Sequence, residues 1–159
     1  MASSIKRVPE GHHTISPHLT VQDGARIIDF YTRAFGAREI RRSMAADGTS
    51  LLHAELQIGD SKFFLNGEFP QMGLTSPLAR GGTSVVIHLY VEDVDSLYRQ
   101  AVDAGAKVVM PLADQFWGDR YGVVEDPSGH RWSMASHVKD MTFEEMKRAS
   151  EATADHCES

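Results

Sequence analysis

Only one of the 159 residues is a cysteine, Cys157, and it sits in a polar tail. Neither an internal disulfide nor a cysteine-ligated zinc site can therefore form. No apolar run approaches the roughly 20 residues that span a bilayer. The polar opening MASSIKR also lacks the apolar stretch of a signal peptide, so a cytoplasmic location and no membrane partner are expected. Basic residues are outnumbered, with 16 Lys and Arg against 22 Asp and Glu, and they are scattered. Without a basic stripe to neutralise phosphates, nucleic acid is not an expected partner. Gly81-Gly82 has neither the spacing nor the lysine of a phosphate loop, and no serine sits in a nucleophile elbow.

The chain does contain an internal repeat. Thr14 to Asp23 (TISPHLTVQD) and Ser84 to Asp93 (SVVIHLYVED) match at His18/His88, Leu19/Leu89, Val21/Val91 and Asp23/Asp93, a constant offset of 70 positions. Each copy leads into an amphipathic helix, Gly24 to Ala37 and then Val94 to Ala106, that closes on a Gly followed by Ala. Repetition at this period organises a whole fold.

Within the first copy Ile15, Pro17, Leu19 and Val21 alternate with Ser16, His18 and Thr20, as in a half-buried strand, and Pro17 marks an edge or a strand start. Ile27, Phe30, Tyr31, Ala34 and Phe35 recur at helical spacing, and Gly36 suits a left-handed stop. Three strands should follow: Arg38 to Ala45, Leu51 to Ile58 with Leu52, Ala54, Leu56 and Ile58 on one face, and Lys62 to Asn66. A Pro- and Gly-bearing connector then resets the chain. The second half repeats the plan: strand Val85 to Val91, helix Asp95 to Ala104 with Asp95 as N-cap, and strands near Lys107 to Met110, Tyr121 to Glu125 and Arg131 to Ser136. DPSG at 126–129 reads as a turn. Thr142 and Glu145 have capping-box spacing, so a last helix should run to about Ala152, with a frayed tail beyond. The expected layout is an α+β chain: an arm at 1–13, one domain of two βαβββ modules (14–68 and 84–137) within 14–139, and a C-terminal helix and tail at 140–159.

VPEGHHTISPHLTV, FYTRAFGA, HAELQIGDSKFFL, HLYVEDVD and above all DQFWGDRYGVVEDPSGHRW resemble the vicinal oxygen chelate superfamily, the glyoxalase, bleomycin-resistance and dioxygenase proteins. Its PhnB-like branch is the nearer match, from about residue 8 to residue 147. The resemblance implies sheets curled into cups and commonly a homodimer, and leaves the chemistry open because a fold does not fix function. Metal-dependent members take one ligand from the first and one from the last strand of each half. The matching positions here are Ser16, Phe64, Val86 and Ser133. Valine and phenylalanine cannot bind a divalent ion and serine hydroxyls are poor ligands, so the usual metal site, and with it any cofactor, is expected to be missing.

Parity puts Ser16, His18, Thr20, Phe64, Asn66, His88, Tyr90 and Ser133 on the cup side, with Trp117 and Arg120 at its rim. Such a lining suits a small, ring-bearing organic molecule. The alternative is an enzyme, either metal-free acid–base or using a displaced metal site of His18, His53, Glu55 and His88. A weaker reading is an interaction subunit with an exposed apolar face. Phe116, Trp117, Asp119, Arg120 and Tyr121 read as a Gly-bounded loop that can offer aromatic faces and a guanidinium to a flat or anionic ligand. Arg120 could instead brace that loop against Asp119 or Asp126, and Trp132 with Met134 should be core.

Overall fold

The computed structural model describes residues 5–154, so the tail with His156 and Cys157 lies outside the described residues. Strand β1 (His18–Val21) is followed by helix α1 (Gly24–Phe35), β2 (Arg38–Met44), β3 (Leu51–Ile58) and β4 (Ser61–Gly67). A 3-10 turn and the short helix α2 (Pro77–Arg80) make the connector. Then come β5 (Val86–Tyr90), α3 (Val94–Asp103), β6 (Lys107–Asp114), β7 (Asp119–Glu125), β8 (Arg131–His137) and α4 (Phe143–Ala154). The sheets have matching orders, β1-β4-β3-β2 and β5-β8-β7-β6. In each the first strand pairs parallel with the last, His18 opposite Phe64 and His88 opposite Ser133. The repeat is thus two βαβββ modules. No helix among the described residues is long and apolar enough to cross a membrane.

The repeated aspartates explain why both helices start where they do. Asp23 accepts from the Arg26 amide at 3.4 Å, and Asp93 accepts from the Ser96 amide at 3.0 Å. Each satisfies one of the free amides of a first turn. The α3 cap is therefore Asp93 rather than Asp95, which lies inside the first turn. Gly36 takes the expected left-handed stop at φ 65°. Around Asp47–Gly48 the strand pairing skips from Ser43/His53 to Met44/Leu51, leaving Leu52 as a bulge. Leu52 is consequently 46% exposed, while Leu51 turns inward against Gly24. At the C-terminus the capping box forms as expected, with the Glu145 amide donating to Thr142 Oγ1 and the Thr142 amide donating to the Glu145 carboxylate.

The helix-facing sides of both sheets share one core. Leu19, Val21, Leu56 and Leu65 pack with Ile27, Phe30 and Tyr31, and the cluster continues into Val124, Trp132 and Met134 of the other module. Trp132 stands 4.7 Å from Phe35 and 5.2 Å from Tyr31 between ring centroids. At this junction Asp126 is buried, its Oδ2 accepting from Tyr31 Oη at 2.7 Å and Trp132 Nε1 at 2.9 Å. Its Oδ1 accepts from the amides of Ser128 and His130. Asp126 thus does more than shape a turn: it welds the modules. Tyr31→Phe removes one donor and should cost about 1 kcal/mol. Asp126→Ala strands two buried donors and two amides and should cost about 3 kcal/mol or more, read from denaturant midpoints.

Candidate functional site

Because both helix-facing sides are buried in one core, the opposite sides of the sheets form two separate faces. Aromatic contacts among the described residues run within each face, and none crosses between them. The faces carry different chemistry.

On the second sheet, alternation brings His88 and Tyr90 of β5, Tyr121 of β7 and Ser133 of β8 to the outer side. His88 Nδ1 lies 2.7 Å from Ser133 Oγ, its ring is 4.4 Å from that of Tyr90, and Tyr121 stacks alongside at 5.9 Å. Trp117 adds its ring 5.6 Å from Tyr121, and Phe116 lies beyond it. The result is a continuous aromatic panel. Behind it Asp119, 4% exposed, accepts hydrogen bonds from Tyr90 Oη (2.8 Å), Trp117 Nε1 (3.1 Å) and His137 Nδ1 (2.8 Å). One carboxylate therefore sets the orientation of two panel rings. His137 Nε2 also lies 2.9 Å from Asp140, so both ring nitrogens face carboxylates, an arrangement that favours the charged imidazolium.

These contacts separate the two histidines. Burial lowers the pKa of His88 below its ordinary 6.5, only partly opposed by Asp119. Hydrogen bonds to Asp119 and Asp140 raise that of His137 above the same value. Burial alone would push Asp119 up, but its bonds from His137, Tyr90 and Trp117 outweigh that and hold it down.

On the first sheet Phe64 is the centre. His18 and His53 stand around it at 5.7 and 5.3 Å, and His12 of the N-terminal arm stacks on it at 5.6 Å. Beside them Glu55 is buried and meets Arg41 Nε at 2.9 Å, Lys62 Nζ at 3.3 Å and His12 Nε2 at 3.1 Å. Burial raises the Glu55 pKa, but Lys62, Arg41 and His12 more than offset it, leaving the group below its usual range. The pKa of His18 is lowered by burial and then by His53. Asn66 donates to Thr20 Oγ1 at 3.2 Å further along the same face.

Ser16, ahead of β1, is part-buried. His18, Thr20, Phe64 and Asn66 therefore belong to one face, and His88, Tyr90, Trp117 and Ser133 to the other. His18 and His88 meet only across the gap between the edges of β1 and β5, where both line a cavity of about 540 Å³. A neighbouring cavity of about 630 Å³ is bordered by Phe35, Lys62, His88 and Tyr90. Arg120 is not at the rim. Asp119 and Tyr121 belong to the strand rather than to a loop, so Arg120 between them points to the helix side. There it is clamped by Asp95 at 2.8 Å and Asp114 at 3.1 Å, rather than by Asp119 or Asp126. His18, His53, Glu55 and His88 do not converge either, and among the described residues no three His, Cys, Asp or Glu side chains are grouped to hold a metal ion. His12 and His137 join the faces without having been expected there, whereas Asp119 and Tyr121 come from the stretch expected to offer aromatic contacts, on a strand instead of a loop. The alternation Asp119/Tyr121 was the one available signal.

Residues 11–134 match the model of the glyoxalase/bleomycin resistance protein/dioxygenase superfamily. An uncharacterized protein of Mycobacterium bovis is 46% identical over 144 residues, 89% of this chain and 94% of that protein. The crystal structure of TioX from Micromonospora sp. ML1 is 32% identical, with a TM-score of 0.63 over 79% of this chain and 99% of that one. A PhnB protein from Bacillus cereus shares the fold at 18% identity, with a TM-score of 0.54 over 78% and 99% of the two chains.

The hydrogen bonds to Asp119 make a titration prediction. His137 should titrate above 6.5 and His88 below it when imidazole protons are followed by NMR, and Asp119→Asn should bring His137 back toward 6.5. The sign for stability follows. A raised histidine pKa stabilises fully below pH 6.5, and that part fades as pH rises through the raised value. The Asp119 part is present above its unfolded pKa of 3.8 and fades as pH falls through its lowered value. Identical midpoints for His88 and His137 would contradict the assignment.

Proposed function

The chain belongs to the glyoxalase/bleomycin resistance protein/dioxygenase superfamily, and on that premise we propose that it binds a small planar aromatic molecule on the outer face of its second sheet without a metal ion. The observation that carries this reading is the panel of Tyr90, His88, Tyr121 and Trp117 fixed from behind by Asp119. Flat rings supply contact area, while a few oriented polar groups supply specificity. His88 stays neutral around pH 7, and with Nδ1 held by Ser133 it offers Nε2 to a ligand as a single neutral polar group rather than a charge. The cavity of about 630 Å³ touches the panel only at its His88 and Tyr90 end, and that of about 540 Å³ only at His88.

The absence of ligand chemistry at Ser16, Phe64, Val86 and Ser133 supports a metal-independent mode, because none of these side chains is a good partner for a divalent ion. An acid–base reaction is the second reading, favoured by the His88–Ser133 pair at 2.7 Å, which fixes one ring nitrogen and leaves Nε2 to a ligand. We also read the working form as a homodimer in the cytoplasm. Ile15 and Val85, 86% and 63% exposed, flank the facing edges of β1 and β5, and twofold pairing is the common way to cover such edges.

Flavone, as a planar probe, should quench tryptophan fluorescence through Trp117, since Trp132 is only 1% exposed. Trp117→Ala and His88→Ala should each weaken binding by about 1 to 3 kcal/mol, both measured calorimetrically because Trp117→Ala removes the fluorescent reporter. Affinity should fall only below pH 6.5, where His88 acquires its proton. Unchanged affinity in both variants would overturn the site. Protein prepared without chelators should carry far less than one transition ion per chain, and a stoichiometric ion lost on His18→Ala or His88→Ala would install the metal enzyme instead.

A further inference from the structure

The N-terminal arm crosses the outer face of the first sheet, and it is held there by very little. Ile5 and Val8 are 91% and 60% exposed, so the described part of the arm buries little aliphatic surface. Among the described residues its attachments are the Glu10 carbonyl, which accepts from Lys62 Nζ at 3.3 Å, and the His12 side chain. That one ring is well placed. It lies nearly parallel to Phe64, at 18° and 5.6 Å, and directs Nε2 to Glu55 Oε1 at 3.1 Å. The side chains of His12 and Glu55 are 12% and 4% exposed.

We propose that this slot on the first sheet is a binding site for a planar heteroaromatic ring bearing an N–H, and that His12 occupies it as an internal stand-in for such a ligand. The floor is the Phe64 ring, which any flat ring can stack upon. The specific element is the Glu55 carboxylate, which can only accept and so selects a ring that presents a donor to it. Arg41 and Lys62 already balance the Glu55 charge, so a neutral N–H is sufficient and a cation is not required. His18 and His53 also stand against Phe64, at 5.7 and 5.3 Å. An arm tied down by one carbonyl and one side chain opens at small cost, so an external ring can compete with His12. The site is separate from the aromatic panel, which lies on the other sheet.

Benzimidazole at pH 7.5 is a suitable probe, titrated calorimetrically into full-length parent and His12→Ala protein. The variant should bind it at least tenfold more tightly, because the internal competitor is gone. 1-Methylbenzimidazole, which keeps the ring and lacks the N–H, should bind the variant at least tenfold more weakly than benzimidazole does. That comparison needs no further substitution in the Glu55 network. Adding Trp117→Ala to His12→Ala should leave the benzimidazole affinity unchanged. Equal affinity of parent and His12→Ala for benzimidazole, equal affinity of the variant for the two probes, or loss of binding with Trp117→Ala would each overturn the proposal.

Discussion

The Asp126 carboxylate reaches across the module boundary to Tyr31 Oη while holding Trp132 Nε1 and the amides of its own turn. Two aromatic donors could not be buried at that junction without an acceptor, because each unpaired donor would cost about 1 to 3 kcal/mol. With the acceptor present, Tyr31, Phe35, Phe63 and Trp132 close into one aromatic cluster shared by both halves. The helix-facing sides of the two sheets are thereby committed to the core, and the opposite sides are left for other work.

What each free side can do follows from the residues that alternation delivers to it. The first sheet presents imidazoles around a phenylalanine, with one buried carboxylate balanced by Arg41 and Lys62. The second presents Tyr90, Tyr121, Trp117 and a neutral imidazole, with Asp119 holding Tyr90 and Trp117 and itself bonded by His137. An ordered aromatic panel loses little rotamer freedom when it meets a ligand, which favours binding over a loose apolar patch of the same area.

Much of this was legible in the sequence where a short-range rule sufficed. The offset between His18 and His88 located both modules, and strand parity placed Phe64, Tyr90 and Ser133 on outer faces and Trp132 in the core. The α3 cap is Asp93 and not the expected Asp95, although the repeat carried the right signal, since Asp23 precedes the first helix at the same place. Other features depend on long-range packing. His12 comes from an aperiodic arm and meets Glu55 only because the chain folds back across the sheet. Arg120 changed sides because β7 begins at Asp119, two residues earlier than its hydrophobic pattern implies. The division into two faces depends on how α1 docks against Trp132, a contact between residues about a hundred positions apart that no local period encodes.

The two tryptophans permit one direct measurement. Their indole N–H groups both donate to buried aspartates, Trp117 to Asp119 and Trp132 to Asp126, so each should give a resolved nitrogen–proton NMR signal protected from exchange. Titration with a planar aromatic compound should shift the Trp117 signal in a saturable way and leave the Trp132 signal in place. Binding that moves Trp132 alone, or leaves both signals fixed, would contradict the aromatic panel as the site of recognition.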